Sequence, residues 1–293
     1  MLDALPIAAA VIERKEDRCL KVDGYNSRFH DTVKQSTCTA IDWNEADCLK
    51  SGPIAELLQK FFDGTDVAGE LDFMDGEGVA ARFFRVKLAP LPKTESKCAR
   101  CLLSVVDRTV EVQAERTLRA EMLRDSLTGL PNRLAFTEAI EKTGENVARD
   151  LEHAVLVVDM LRFSRINESM GSLAGDELLI TFARRLILAL RAGDVLARTG
   201  GNEFGVLVSL RRGIADALKA AERIQKVMAT PFKISDLEIR VECAIGLALM
   251  HAGQDPEELF RNAQFAVKQA KVAGKPQVYE PKQATEARRR FSI

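Results

Sequence analysis

The chain has 293 residues, 46% of them hydrophobic and 29% charged, with a formal net charge of −1. That length fits about two domains, and the balanced charge carries no global footprint for nucleic acid. No apolar run approaches the roughly 20 residues that cross a bilayer, and the start, Met1-Leu2-Asp3-Ala4-Leu5-Pro6, lacks the basic segment of a signal peptide. The expectation is a cytoplasmic protein with neither nucleic acid nor membrane as a partner.

The early part reads as short strands broken by turns. Ile7 to Ile12 is an apolar run, Cys19 to Tyr25 follows a charged turn, and Ser27 to Lys34 suits a short helix. Pro53 to Phe62 places Ile54, Leu57, Leu58 and Phe61 on one helical face. Leu71–Met74, Ala81–Leu91 and Cys98–Val106 then read as three antiparallel strands, with a turn at Asp75-Gly76-Glu77-Gly78. Five of the six cysteines (Cys19, Cys38, Cys48, Cys98, Cys101 and Cys243) fall in this part, and in a reducing compartment they read as small core residues. Cys98 and Cys101 have C-x-x-C spacing. A zinc site would need a second ligand pair, and a thioredoxin-like motif would open a helix rather than a strand.

A small sheet with helices on one side, closing on Val106-Asp107-Arg108-Thr109, resembles a PAS sensor domain, with Asp107 and Thr109 matching the Asp-x-Thr that ends many such domains. The resemblance covers residues 1–109. It names no ligand: the cysteine motif of flavin-binding light sensors is missing, and neither His30 nor Trp43 identifies one. Residues 110–124, dense in Glu, Arg, Leu and Ala, predict a linker helix. Ala114, Leu118 and Met122 lie one turn apart on it, so it serves either as a paired coiled coil or as a solvated connector.

From Asp125 onward the pattern alternates strand and helix. Asp125 and Thr128 are turn and cap residues, and Pro131 suits the first turn of a helix through Phe136 and Ile140. Ala154–Asp159 is a buried strand ending in a carboxylate. Helices follow over Ile166–Met170 and Gly175–Leu190, then Ile214–Met228. Ile239–Leu249 reads as a strand, Pro256–Val272 as a helix and Gln277–Tyr279 as a last strand. This predicts a sheet with helices packed on it. At its centre, Val195-Leu196-Ala197 and Phe204–Val208 flank Gly200-Gly201-Asn202-Glu203, the pattern of a hairpin. The paired glycines permit positive φ and leave room for a ligand near the backbone; a plain Gly-Gly turn is the alternative.

These pieces together resemble the GGDEF family of diguanylate cyclase domains over 125–282. Asp125-Ser-Leu-Thr-Gly-Leu-Pro-Asn-Arg133 matches D-x-L-T-G-L-x-N-R. Asp159-Met-Leu-Arg-Phe-Ser-Arg-Ile-Asn167 parallels D-x-D-x-F-K-x-I-N, and Gly175-Asp176 parallels G-D. Gly200-Gly201-Asn202-Glu203-Phe204 is the signature with one change. Ala244-Ile245-Gly246 and Ala270-Lys271 with Gly274-Lys275 resemble its S-I-G and A-K-x-x-G-R segments. The resemblance implies that two facing domains each hold one GTP, joined into cyclic di-GMP with Mg²⁺ neutralising phosphate charge. It also implies that Asp159 and the residue at position 202 share the metal with the Met160 carbonyl, Glu203 being the acid that remains in the turn. Asn167 and Asp176 would read guanine, and Phe163, Lys271 and Lys275 would meet phosphates.

The departures from that pattern lie at the metal and phosphates. Asn202 stands where the family has an acid, Leu161 replaces the second acid of D-x-D, Ser164 replaces a Lys, and Lys275 replaces an Arg and its bidentate fork. Losing one anion beside a divalent cation costs several kcal/mol, on the order of a thousand-fold in rate. The expectation is a degenerate domain that holds GTP without cyclising it, with any Mg²⁺ weakly bound. A slow cyclase using Asp159 and Glu203, or a fold that binds nothing, are the alternatives. Arg191-Ala192-Gly193-Asp194 matches the family's R-x-x-D inhibitory site, so Arg191 and Asp194 imply a cyclic di-GMP receptor or else a solvated loop. Residues 283–293 resemble the connector into an EAL phosphodiesterase domain. A chain cut from a longer PAS-GGDEF-EAL protein is the preferred expectation and a true C-terminus the alternative. Homodimerisation is expected if the linker helices pair.

Overall fold

The computed structural model of the protein describes residues 2–15, 17–35, 48–49, 52–64, 69–78, 81–92, 98–145, 152–251 and 253–281. Cys38, Trp43 and the proposed connector 283–293 lie outside them. Two compact units, Met1–Arg119 and Ala120–Ile293, divide the chain.

The first unit contains β1 (Ala8–Arg14), β2 (Leu20–Tyr25), α1 (Ser27–Gln35), β3 (Cys48–Leu49), α2 (Pro53–Phe62), β4 (Glu70–Asp75), β5 (Arg82–Leu91) and β6 (Ala99–Asp107). The strands form one sheet in the order β3-β2-β1-β6-β5-β4, antiparallel throughout. Period-2 alternation turns Ala8, Ala10 and Ile12 of β1 and Cys101, Leu103 and Val105 of β6 to the same face, where Ile54, Leu57 and Leu58 of α2 cover them. Cys101 is therefore a wall of the core, and burial pushes its thiol up to about 12, the setting of an inert packing residue. His30 stacks on the Tyr25 ring, with centroids 6.0 Å apart. At the end of the sheet, the Asp107 carboxylate accepts from the backbone N–H (2.9 Å) and hydroxyl (2.5 Å) of Thr109, whose Oγ1 accepts the Phe83 N–H at 2.9 Å. The Asp-x-Thr thus ties the first residue of α3 (Thr109–Met122) to β5. No residue of α3 is buried; Val110, Leu118 and Met122 are all exposed.

The second unit runs through α4 (Arg133–Glu145), β7 (Glu152–Met160), α5 (Phe163–Met170), α6 (Ser172–Ala189), β8 (Val195–Gly200), β9 (Glu203–Leu210), α7 (Ile214–Met228), β10 (Phe232–Ile234), β11 (Leu237–Ile239), β12 (Cys243–Leu249), α8 (Pro256–Ala273) and β13 (Gln277–Val278). Its main sheet has the order β13-β12-β7-β9-β8, and only the β12–β13 edge is parallel. Both faces are covered. Leu156, Val158 and Met160 of β7 point to α6 and α7, while Val155 and Val157 point to α4 and α8. β12 and α8 meet backbone to backbone at Gly246, where a Cβ would overlap the Ala263 carbonyl and the Val267 amide.

Two local expectations are corrected. The segment read as one strand from Ile239 to Leu249 is broken: β11 pairs with β10 as a separate two-stranded ribbon and β12 begins at Cys243. Between them, the Glu242 carbonyl accepts the Leu161 N–H at 2.8 Å, a bond outside the ladder. Pro131 does not open α4. It bridges to Arg124, and Asn132 caps the helix instead, its Oδ1 accepting from the Ala135 N–H at 3.1 Å.

Candidate functional site

Strand parity decides what the acidic residues meet. Asp159 lies two residues beyond Val157, so it faces α8, and Glu203 shares the parity of Leu207 and faces the same way. The register pairs Asp159 with Glu203 across β7 and β9. On α8, Val267 is buried in that interface, and Lys271 follows one turn later. Its Nζ reaches Asp159 Oδ1 at 2.9 Å. Gln264, one turn after the buried Phe260, donates through Nε2 to both oxygens of Glu203 at 3.0 Å, and the Thr199 hydroxyl donates to Glu203 Oε1 at 2.9 Å. A cleft of about 800 Å³ opens beside Asp159, Glu203, Gln264 and Lys271.

The hairpin turn is where the sequence placed it, with β8 ending at Gly200 and β9 starting at Glu203. Neither glycine has positive φ. What they supply is space, since a Cβ on either would meet nothing within 4 Å. Asn202 at the tip donates from Nδ2 to the Met160 carbonyl at 2.6 Å, while the Met160 N–H donates to the Asn202 carbonyl at 3.0 Å. Arg198 holds the turn from behind: Nε and Nη2 donate to the Gly201 carbonyl at 3.0 and 2.7 Å, and Nη1 to both Asp125 oxygens at 3.1 Å. Burial pushes the Asp125 carboxyl up, but hydrogen bonds from the Thr128 hydroxyl and N–H, together with Arg198, outweigh it and leave the group below its ordinary range. The opening motif and the signature turn are thus one polar network.

Asn167 and Asp176, the expected guanine readers, stand on the packed pair α5 and α6. Asp176 is exposed. Asn167 Oδ1 is buried with no hydrogen-bond partner, and it lies where a Cβ on Gly175 would be. Gly175 is therefore a glycine because Asn167 fills its side-chain space.

A second cleft, of about 490 Å³, is bordered by Arg162, Glu242, Lys271 and Lys275. Arg162 precedes α5 with φ 59°, and no side chain caps that helix. Phe163 packs partly buried against the core on the α6 side, Leu161 against the opposite core, and Ser164 is exposed. Cys243 borders the same cleft; burial, with Asp159 and Glu242 nearby, pushes its thiol up to about 12. At the far end of α6, Asp194 Oδ2 accepts from the Arg191 N–H at 2.9 Å and the Arg191 side chain is exposed.

Divalent Mg²⁺ asks for several free oxygen ligands. Here Asp159 is paired with an ammonium, the Met160 carbonyl already accepts an amide N–H, and Glu203 is engaged by Gln264 and Thr199. Among the described residues no group of three or more His, Cys, Asp or Glu is arranged to hold a metal ion. The donor set does not fit a resident divalent cation. Sequence reasoning named Asp159, Glu203 and Lys271 but missed Gln264, Thr199 and Arg198. The i−4 spacing of Gln264 from buried Phe260 was not specific enough to find it.

No helix among the described residues is long and apolar enough to cross a membrane. The family model described as "Diguanylate cyclase, GGDEF domain" matches residues 122–277. The chain is 37% identical over 186 residues to the bifunctional diguanylate cyclase/cyclic di-GMP phosphodiesterase MucR of Pseudomonas aeruginosa, covering 59% of this chain and 27% of that protein. It is 36% identical over 178 residues to the cyclic di-GMP phosphodiesterase PdeR of Escherichia coli, covering 60% and 26%. The chain therefore spans about a quarter of the length of these relatives. The solved GGDEF domain of TpbB (YfiN) from Pseudomonas aeruginosa is similar with a TM-score of 0.51 and 35% identity, covering 56% of this chain and 99% of that one. With Asp159 and the signature turn on adjacent strands of one sheet and a family match over more than half its length, the chain belongs to the GGDEF family of cyclic di-GMP signalling.

Proposed function

We propose that this chain is a regulatory module of cyclic di-GMP signalling. In it the GGDEF unit holds GTP through Asn167 and Asp176 without joining two GTP molecules efficiently. It controls an EAL phosphodiesterase domain joined downstream, and residues 1–109 act as a PAS-like sensor feeding it through the linker helix 110–124. GGDEF domains generally use Mg²⁺ with GTP. The observation that carries the non-catalytic reading is the 2.6 Å bond from Asn202 Nδ2 to the Met160 carbonyl. An N–H points where a cation would need a bare oxygen, and the residue that makes it can neither carry charge nor take a proton. The engagement of Asp159 by Lys271 favours this reading over a slow cyclase in the same way. The phosphodiesterases among the relatives support a downstream EAL domain. The sheet order of the first unit and its Asp107–Thr109 clasp support the sensor assignment. The exposed stripe of Val110, Leu118 and Met122 supports pairing of two copies.

Calorimetry with GTP, and chromatography of the same mixture after incubation with Mg²⁺ or Mn²⁺, test the reading. The expected result is binding heat with no appreciable cyclic di-GMP. Product formed at the pace of an intact cyclase would overturn it, and no heat at millimolar GTP would favour a spacer. The exposed Arg191 guanidinium beside the tethered Asp194 favours a second ligand, cyclic di-GMP itself. Its binding is expected to be abolished in Arg191→Ala.

A further inference from the structure

We infer that this pocket has exchanged its divalent cation for its own side-chain cations, so that a guanine nucleotide enters it without metal. The inference rests on the GTP reading above and goes beyond it. Two observations carry it. The first is the occupation of the oxygens: an ammonium on Asp159 and an amide N–H on the Met160 carbonyl. Each is a positive end of a dipole or charge already aimed at the atom a cation would need, so an incoming cation must displace both. The second is the charge of the adjoining cleft. Arg162, Lys271 and Lys275 border it against Glu242, and with Lys271 already paired to Asp159 the excess is one positive charge. That is a net positive wall for a metal-free polyphosphate chain.

Arg162 is the residue this reading adds. It is one of three non-glycine residues with positive φ among those described, at 59°, a conformation that is strained for a residue with a side chain. At the start of α5 that backbone sets its side chain on the rim of the cleft, beside Lys271 and Lys275. Arg162 thus acts as a binding residue for the phosphates in place of the metal, with the planar fork that suits phosphate oxygens.

GTP titrations in EDTA and in excess Mg²⁺ test this, together with a Mn²⁺ titration of the nucleotide-free chain followed by electron paramagnetic resonance. Expected are GTP affinities within about twofold of each other in the two buffers and no Mn²⁺ bound by the native chain at 1 mM. In EDTA, affinity should fall about tenfold in Arg162→Ala, and in the double variant Asn202→Asp, Lys271→Met, Mn²⁺ should bind. Tenfold or greater tightening of GTP by Mg²⁺, or Mn²⁺ bound by the native chain at tens of micromolar, would overturn the inference while leaving GTP binding standing. No GTP heat in either buffer would overturn the GTP reading and, with it, cation-free entry.

Discussion

The two ends of the proposed nucleotide pocket are built on opposite terms. At the signature turn, each group that the family resemblance assigns to metal already has a partner supplied by the chain: Lys271 for Asp159 Oδ1, Asn202 for the Met160 carbonyl, Gln264 and Thr199 for Glu203. At the α5–α6 end, Asn167 Oδ1 is buried with none. A buried acceptor left unpaired costs about 1–3 kcal/mol, and this one is packed into the side-chain space of Gly175. The chain satisfies its own polar groups at the first end and leaves one unsatisfied at the second.

The sharpest way to break this contrast is Asn202→Asp. It removes the amide donor and restores an anion, and cyclic di-GMP synthesis should rise about a hundred-fold over the native chain, short of the roughly thousand-fold scale of a full metal ligand because Ser164 and Lys275 remain. Chromatographic yields equal to those of the native chain would mean that the turn is not the defect. Next in size, Asn167→Leu should weaken GTP about tenfold by calorimetry while leaving thermal stability unchanged or higher by up to about 1 kcal/mol, since it deletes an unpaired acceptor. Loss of both would make Asn167 a structural residue.

A smaller effect comes from acid. The Asp125 carboxyl is held below its ordinary value of about 3.9. Its contribution is therefore complete above about pH 4 and is lost as pH falls through the lower folded value. Removing its partner in Arg198→Met should reduce this acid sensitivity by about 1 kcal/mol in urea melts read between pH 3 and 6, and an unchanged pH profile would dissociate the network from stability. Smallest of all is Lys271→Met. Its side chain is 43% exposed, so the ion pair contributes under about 1 kcal/mol to folding, and a larger drop in melting temperature would give Lys271 a structural role.

Much of this arrangement was legible in the residues themselves. The apolar runs Ala154–Val158 and Phe204–Val208 locate two strands, but their adjacency, and with it the shared face of Asp159 and Glu203, comes from the register. The α7 span Ile214–Met228 agrees residue for residue. The ribbon Phe232–Ile239 escaped because three-residue strands show no periodicity, and its turn rests on Ser235 with φ 51°, an unusual choice for that backbone. Pro131 misled because its fixed φ suits a helix start as well as the bridge it makes to Arg124. Gln264 was invisible for another reason: its partner Glu203 is 61 residues away, and a glutamine on a half-buried stripe carries no local mark of what it will touch. Of the two properties expected of the paired glycines, positive φ is absent and open space is present. They leave a bare approach to the turn rather than an unusual backbone angle.

Gly246 fixes the standoff between α8 and the sheet. With only a hydrogen at that position, the helix lies against the strand with no side chain between, and the Ala263 and Val267 backbone sets the spacing. Gln264 and Lys271 ride on this same helix, so their reach to two separate carboxylates is a single mechanical quantity. A methyl inserted at 246 would lift both at once, unmaking the two polar contacts together from a point that touches neither.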